Sequence, residues 1–150
     1  MSMKFQFSAG GIVFKQAKNK TYILISQHSG HHGWVFPKGL IGDKVKGEKK
    51  EDTAIREVQE ETGIEAKIVK AIKPVTYWFK FQRDPSTGSG QELIKKTVYY
   101  FIMEYLKGDF EKRDFEMENV EWVEFNEVKN KLSYKSDKQA WAQAEKLVTS

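Results

Sequence analysis

Apolar and polar positions alternate with period two at the start of the chain. Phe5, Phe7 and Ala9 are separated by polar residues, and Gly10-Gly11-Ile12-Val13-Phe14 continues as an apolar run. This pattern predicts a strand, since alternate side chains of an extended segment share one face. Lys18-Asn19-Lys20 predicts a turn, and Tyr22 to Ser26 a second strand. Gly30-His31-His32-Gly33 reads as a loop before a short strand, Trp34 to Phe36. Ala66 to Ala71 and Val75 to Phe81 read as strands interrupted by Pro74, which cannot donate to a ladder. Lys96 to Tyr105 and Trp122 to Phe125 complete the strand set. Arg83 to Gln91 is turn-forming punctuation that links a hairpin.

Two segments follow the helical period instead. Ala54, Ile55 and Val58 fall within one arc, predicting a helix over Lys50 to Thr62 that ends at a left-handed Gly63. Ala140, Trp141, Ala144, Leu147 and Val148 form a second stripe, with Ser136 and Gln139 spaced as a capping box. Glu127 to Leu132 reads as a short helix. Strands in two runs around a central helix, closed by a helix, predict an α+β fold with a mixed sheet.

The central helix carries an electrostatic anomaly. Glu57, Glu60 and Glu61 stand at i, i+3 and i+4, so three carboxylates crowd one edge of the helix and repel one another. Arg56 can pair with Asp52 and with Glu60, one turn away on either side. One explanation is a solvated acidic face; the other is neutralisation by a hard divalent cation.

The chain has 150 residues, a length for one domain spanning 1–150, with 39% hydrophobic and 13% aromatic residues. It has no cysteine, which excludes disulfides and thiolate metal sites. The longest apolar runs fall short of a membrane span, and the start lacks a signal-peptide core, so a cytoplasmic location is expected. The formal net charge of +4 favours polyanionic partners, including polyphosphorylated small molecules and RNA ends. No dense Lys/Arg tract or DNA-binding motif occurs, and no Walker motif.

Gly42, Glu48, Arg56-Glu57-Val58, Glu60-Glu61 and Gly63-Ile64 stand at offsets that resemble the Nudix box, the signature of the MutT-like Nudix hydrolases. Phe36-Pro37-Lys38-Gly39 is similar to the usual lead-in. The lead-in glycine, Gly39, lies nine residues before Glu48 where the family has six, so the chain carries three extra residues. Gly39 and Gly42 both remain candidates for the box glycine. Lys49 also replaces the Ser or Thr that often caps the family's helix.

The resemblance implies an α/β/α sandwich around a mixed sheet, and metal-dependent hydrolysis of a pyrophosphate bond with Mg²⁺ or Mn²⁺. It implies Glu60 and Glu61 as principal metal ligands, and Glu57 as a ligand or as the base that orients water. It implies that Arg56 and Glu48 hold the box loop to the helix, and that the Lys38 or Gly39 carbonyl completes the metal shell. Glu116 is the candidate for a further carboxylate, on an acidic stretch similar to that of RNA 5′-pyrophosphohydrolases, with Glu118 next.

Lys38, Tyr77, Lys80, Lys96 and Tyr99 are candidate substrate contacts, because aromatic faces stack bases and lysines bind phosphates. For each residue on the two strands, sheet core or solvated edge is the competing explanation. The Tyr77-Trp78-Phe79 and Lys95-to-Phe101 strands and Leu132-Ser133-Tyr134 resemble the asymmetric diadenosine tetraphosphate hydrolase branch, which implies Tyr134 near a nucleobase. The expected substrate is a dinucleoside polyphosphate. RNA 5′ ends, (oxidised) nucleoside triphosphates, ADP-ribose and inositol pyrophosphates are alternatives, as is a non-catalytic nucleotide-binding module. His28, His31 and His32 fit no defined metal-site spacing.

Overall fold

The two registers of the first strand bury on opposite faces of one sheet. In the computed structural model, which describes residues 2–84 and 89–148, β1 (Ser2–Ala17) runs parallel to β7 (Ser89–Gly108) from Ser2↔Glu92 to Phe14↔Glu104. β2 (Lys20–His28) returns antiparallel to the end of β1, and β3 (Trp34–Val35) pairs with β2. β4 (Lys38–Leu40) pairs antiparallel with Ser8–Gly10 of β1. β5 (Ile64–Ala71) and β6 (Val75–Asp84) pair with different parts of β7, and β8 (Met117–Glu124) pairs with β2. The continuous path is β3-β2-β1-β7-β5, a mixed sheet.

Ala9 and Val13 of β1, with Phe101 and Met103 of β7, pack against Ala54 and Val58 of α1 (Lys50–Thr62). Ile12 of β1, with Val98, Tyr100 and Ile102 of β7, packs on the other face against Ala140, Trp141 and Ala144 of α3 (Lys135–Ala144). The result is an α/β/α sandwich around a mixed sheet, the architecture that the resemblance implies. The short α2 (Val128–Lys131) follows a turn of 3-10 helix at Phe125–Glu127.

α1 has the bounds that its periodicity predicts, and Gly63 ends it at φ 79, donating its N–H to Gln59. The last helix departs from expectation. It begins at Lys135, so Ser136 lies within its first turn and the Ser136–Gln139 capping box does not form. After Ala144 the chain turns, with the N–H groups of Leu147 and Val148 both donating to the Ala144 carbonyl. Val148 stays buried while Leu147 is left exposed, so the apolar stripe outlasts the helix. β7 is longer at both ends than Lys96 to Tyr105, because β1 and β5 give it partners that local pattern does not reveal. Of the expected hairpin turn at Arg83 to Gln91, residues 85–88 lie outside the described residues. No helix among the described residues is long and apolar enough to cross a membrane.

Candidate active site

The packing of α1 on the sheet carries its acidic edge inward. Val58 and Ala54 are fully buried against β1 and β7, and this draws Glu57 and Glu61 under cover at 6% and 4% exposure. Burial pushes Glu57 up to about 7. Burial also pushes Glu61 well above the usual carboxylate range; Lys38 opposes the shift, while Glu57, Asp114 and Glu116 add to it. Burial acts the same way on Glu60, but hydrogen bonds from Lys44 and Arg56 outweigh it and hold Glu60 below the ordinary value.

Arg56 is the fixed cation of the cluster. Its Nε and Nη2 donate to Glu48 at 3.0 and 2.9 Å, and its Nη1 donates to Glu60 Oε2 at 2.8 Å. Thr53 Oγ1 donates to the same Glu48 carboxylate at 2.7 Å. Those hydrogen bonds hold Glu48 below its usual range and Arg56 above its own. Arg56 therefore reaches back to Glu48, eight residues away, and the expected bond to Asp52 is not its anchor.

The two glycines have different tasks. Gly39, paired with Ala9 on β4, lies so close to α1 that a Cβ there would overlap Glu57 Oε2. Gly42 sits at φ 77 with nothing within 4 Å of a Cβ position. Close approach to the carboxylate belongs to Gly39, and the left-handed turn of the inserted loop to Gly42.

A cavity of about 610 Å³ opens beside Lys38, lined by His31, Tyr77, Phe79, Lys96, Tyr134 and Asp137 among others. Tyr134 Oη and His31 Nδ1 are 2.8 Å apart, and the Gly33 N–H donates to the same ring nitrogen at 3.0 Å. Burial, with His28, Lys38 and His32 nearby, lowers the His31 pKa, and the Gly33 N–H makes Nδ1 an acceptor. Asp137 is buried and accepts the Phe36 N–H at 3.1 Å and the Tyr100 hydroxyl at 3.4 Å, tying α3 to the Phe36-Pro37-Lys38 segment. Burial raises its pKa. Burial also pushes the Tyr77 hydroxyl up to about 12.

Burial pulls Lys96 down to about 8; Lys38 adds to this and Glu61 opposes it. An amine with a lowered folded-state pKa disfavours folding while it is charged, so that cost is present below about 8. It is lost as pH rises toward the ordinary 10.5. Lys96→Met is expected to melt higher than wild type at pH 7, with an advantage that shrinks toward pH 10. Melting curves across that range test it; an advantage independent of pH would refute the assignment.

Lys38, Tyr77, Lys96 and Tyr134 thus meet at one cavity, but two sequence candidates lie elsewhere. Tyr99 faces the α1 side, beneath the Lys50 ammonium at 5.0 Å, because it alternates with Tyr100 along β7. Lys80 is exposed and alternates with Phe79, so it projects away from the cavity. Glu116 is exposed, its carbonyl takes the Ser29 N–H at 2.9 Å, and its charge acts on Glu61. Glu118 pairs with His32 at 2.6 Å. Asp114 joins the cluster because its N–H donates to the Glu60 carbonyl at 2.7 Å, a tertiary contact with no local signature. His31, Phe79, Asp137 and Lys44 were likewise not singled out by spacing.

Among the described residues, no three His, Asp or Glu side chains converge as a metal cluster in this arrangement. The donor chemistry nevertheless suits a hard divalent cation: Glu57 and Glu61 are buried and carry raised pKa values, and Glu57 lies against Gly39.

The chain belongs to the Nudix family: the NUDIX domain profile matches residues 4–144. It is 33% identical over 147 residues to a Mycobacterium tuberculosis protein named as mutator protein MutT4, covering 94% of this chain and 55% of that one. It is 32% identical over 108 residues to the asymmetrical bis(5′-nucleosyl)-tetraphosphatase of Rattus norvegicus, covering 71% of this chain and 66% of that one. It is 35% identical over 72 residues to an RNA pyrophosphohydrolase of Vibrio cholerae, covering 48% of this chain and 39% of that one. The chain therefore spans about half the length of the first of these relatives, and less of the third. A C. elegans Ap4A hydrolase in a binary complex shares the fold at a TM-score of 0.67 and 21% identity, covering 95% of this chain and 96% of that one.

Proposed function

We propose that this chain is a metal-dependent pyrophosphohydrolase whose substrate is a dinucleoside polyphosphate such as diadenosine tetraphosphate. The observation that carries this reading is the adjacency of an aromatic cavity to the acidic cluster through two lysines. Lys38 and Lys96 line the cavity, and both interact electrostatically with Glu61. A base held among His31, Tyr77, Phe79 and Tyr134 would direct its phosphates past those ammonium groups toward α1.

Glu57, Glu60 and Glu61, with the Lys38 or Gly39 carbonyl, would hold Mg²⁺ or Mn²⁺, and Glu116 is available as a further ligand. When bound, such ions neutralise phosphate charge and lower the pKa of bound water. Water attacks one phosphorus, the bridging P–O bond breaks, and the water proton passes to a base. Glu57 is a metal ligand or that base; in the metal-free protein burial raises its pKa, and a Glu57 left free of metal would accept the proton. Arg56 and Glu48 fix the helix and loop in register, and Lys38 and Lys96 orient the phosphates.

The second reading is hydrolysis at RNA 5′ ends, supported by the RNA pyrophosphohydrolase relative and by the net charge of +4. A panel of diadenosine polyphosphates, ADP-ribose, nucleoside triphosphates, inositol pyrophosphates and 5′-triphosphorylated RNA, with products identified, separates them. Diadenosine tetraphosphate giving ATP and AMP is the expected result. Preference for triphosphorylated RNA would replace the first reading with the second, and no turnover of any substrate with Mn²⁺ would favour a binding module. Tyr134→Ala is expected to raise KM for diadenosine tetraphosphate by about tenfold with kcat little changed, as loss of one base-stacking contact predicts. An unchanged KM would remove Tyr134 from the base site.

A further inference from the structure

The inserted loop carries a cation into the acidic cluster. Lys44 lies between Gly42 at φ 77 and Gly47 at φ 76, neither with an atom within 4 Å of a Cβ position. Its ammonium is hydrogen-bonded to Glu60 and stands 3.8 Å from Glu57 Oε1. Both carboxylates are candidate metal ligands, and Glu60 is held between Lys44 and Arg56.

The two cations are not equivalent. Arg56 is mostly buried and anchored on Glu48, so it cannot leave without dismantling the loop. Lys44 is half exposed, and its hydrogen bond in the cluster is to Glu60. A flexible lysine stem carrying a point charge can swing away, and open glycines on both sides let its loop follow. We infer that Lys44 is a built-in counter-ion that competes with the divalent metal for Glu57 and Glu60, so that metal binding proceeds by its displacement. The inference rests on the reading that those carboxylates hold the metal. The lengthened loop before Glu48 then has a consequence: it carries a charge that screens the carboxylates until metal arrives.

Mn²⁺ binding measured by calorimetry or by the signal of free Mn²⁺ in electron paramagnetic resonance tests this without turnover. Lys44→Gln is expected to bind Mn²⁺ about two- to fivefold more tightly than wild type, the size of effect that a partly exposed charge exerts. Added salt should narrow the difference, and Lys44→Arg should stay near wild type. In the absence of metal, Lys44→Gln should melt at or slightly below wild type, because the carboxylates lose a neutralising partner. Equal or weaker Mn²⁺ affinity in a folded Lys44→Gln protein would overturn the inference, as would a raised substrate KM with unchanged metal affinity, which would make Lys44 a phosphate ligand. The metal reading has its own control: Glu61→Gln should lose Mn²⁺ affinity, and wild-type protein that binds no Mn²⁺ would overturn both.

Discussion

Glu61→Gln is expected to lower kcat/KM for pyrophosphate hydrolysis by about 10²-fold or more while leaving the protein folded and, without metal, at least as thermostable as wild type. The two halves have one cause. Glu61 is almost wholly buried, and burial is the main force raising its pKa, so the ionised carboxylate is unfavourable in the folded chain unless a cation answers it. Glutamine keeps the shape and removes the charge. It relieves the desolvation cost in the metal-free protein and, on the proposed reading, deletes a metal ligand; lost electrostatic contributions of this kind reach roughly 10²–10³ in rate. A group whose folded pKa is raised costs stability once it is ionised, so the variant's thermal advantage in chelator should grow as pH rises. Paired rate and melting measurements settle it: activity within about tenfold of wild type would remove Glu61 from the metal site.

Gly39→Ala should be nearly as damaging, and Gly42→Ala should not. A methyl at Gly39 overlaps the Glu57 carboxylate, which lies between α1 and β4 and cannot yield without leaving the cluster. Activity is expected to fall by about 10²-fold, as it does when catalytic groups are displaced by an ångström or so, together with weaker Mn²⁺ binding. At Gly42 there is space for a methyl, but φ 77 imposes a backbone cost of about 1–2 kcal/mol. That variant should lose a few degrees of melting temperature and keep activity within a few-fold. The opposite ranking would assign the site's close approach to Gly42.

These two variants also mark where sequence reasoning succeeded and where it stopped. The bounds of α1, its buried Ala54 and Val58, and its termination at Gly63 are local consequences of helical period and of one left-handed residue, so they were legible. The choice between Gly39 and Gly42 was not, because both satisfy some of the spacing. Only the approach of β4 to α1 distinguishes a glycine required for contact from one required for a turn. The substrate side divides similarly. Tyr77 and Lys96 reach the cavity while Tyr99 and Lys80 face away, since a strand pattern gives alternation but not which face meets the site. Asp137 gave no warning, and His31 drew notice only within a histidine group of no defined metal spacing; both matter because α3 and the loop after β2 meet over Phe36 and Tyr134.

The sequence by itself determined most of the strands, the buried stripes of the two long helices and the three carboxylates on one helix edge, because periodicity and fixed offsets are properties of neighbours along the chain. Tertiary structure alone decided that Glu57 and Glu61 are buried and that Lys44 of the lengthened loop stands beside the carboxylates. Those are facts of burial and electrostatics, set by charges that meet across space from distant parts of the chain.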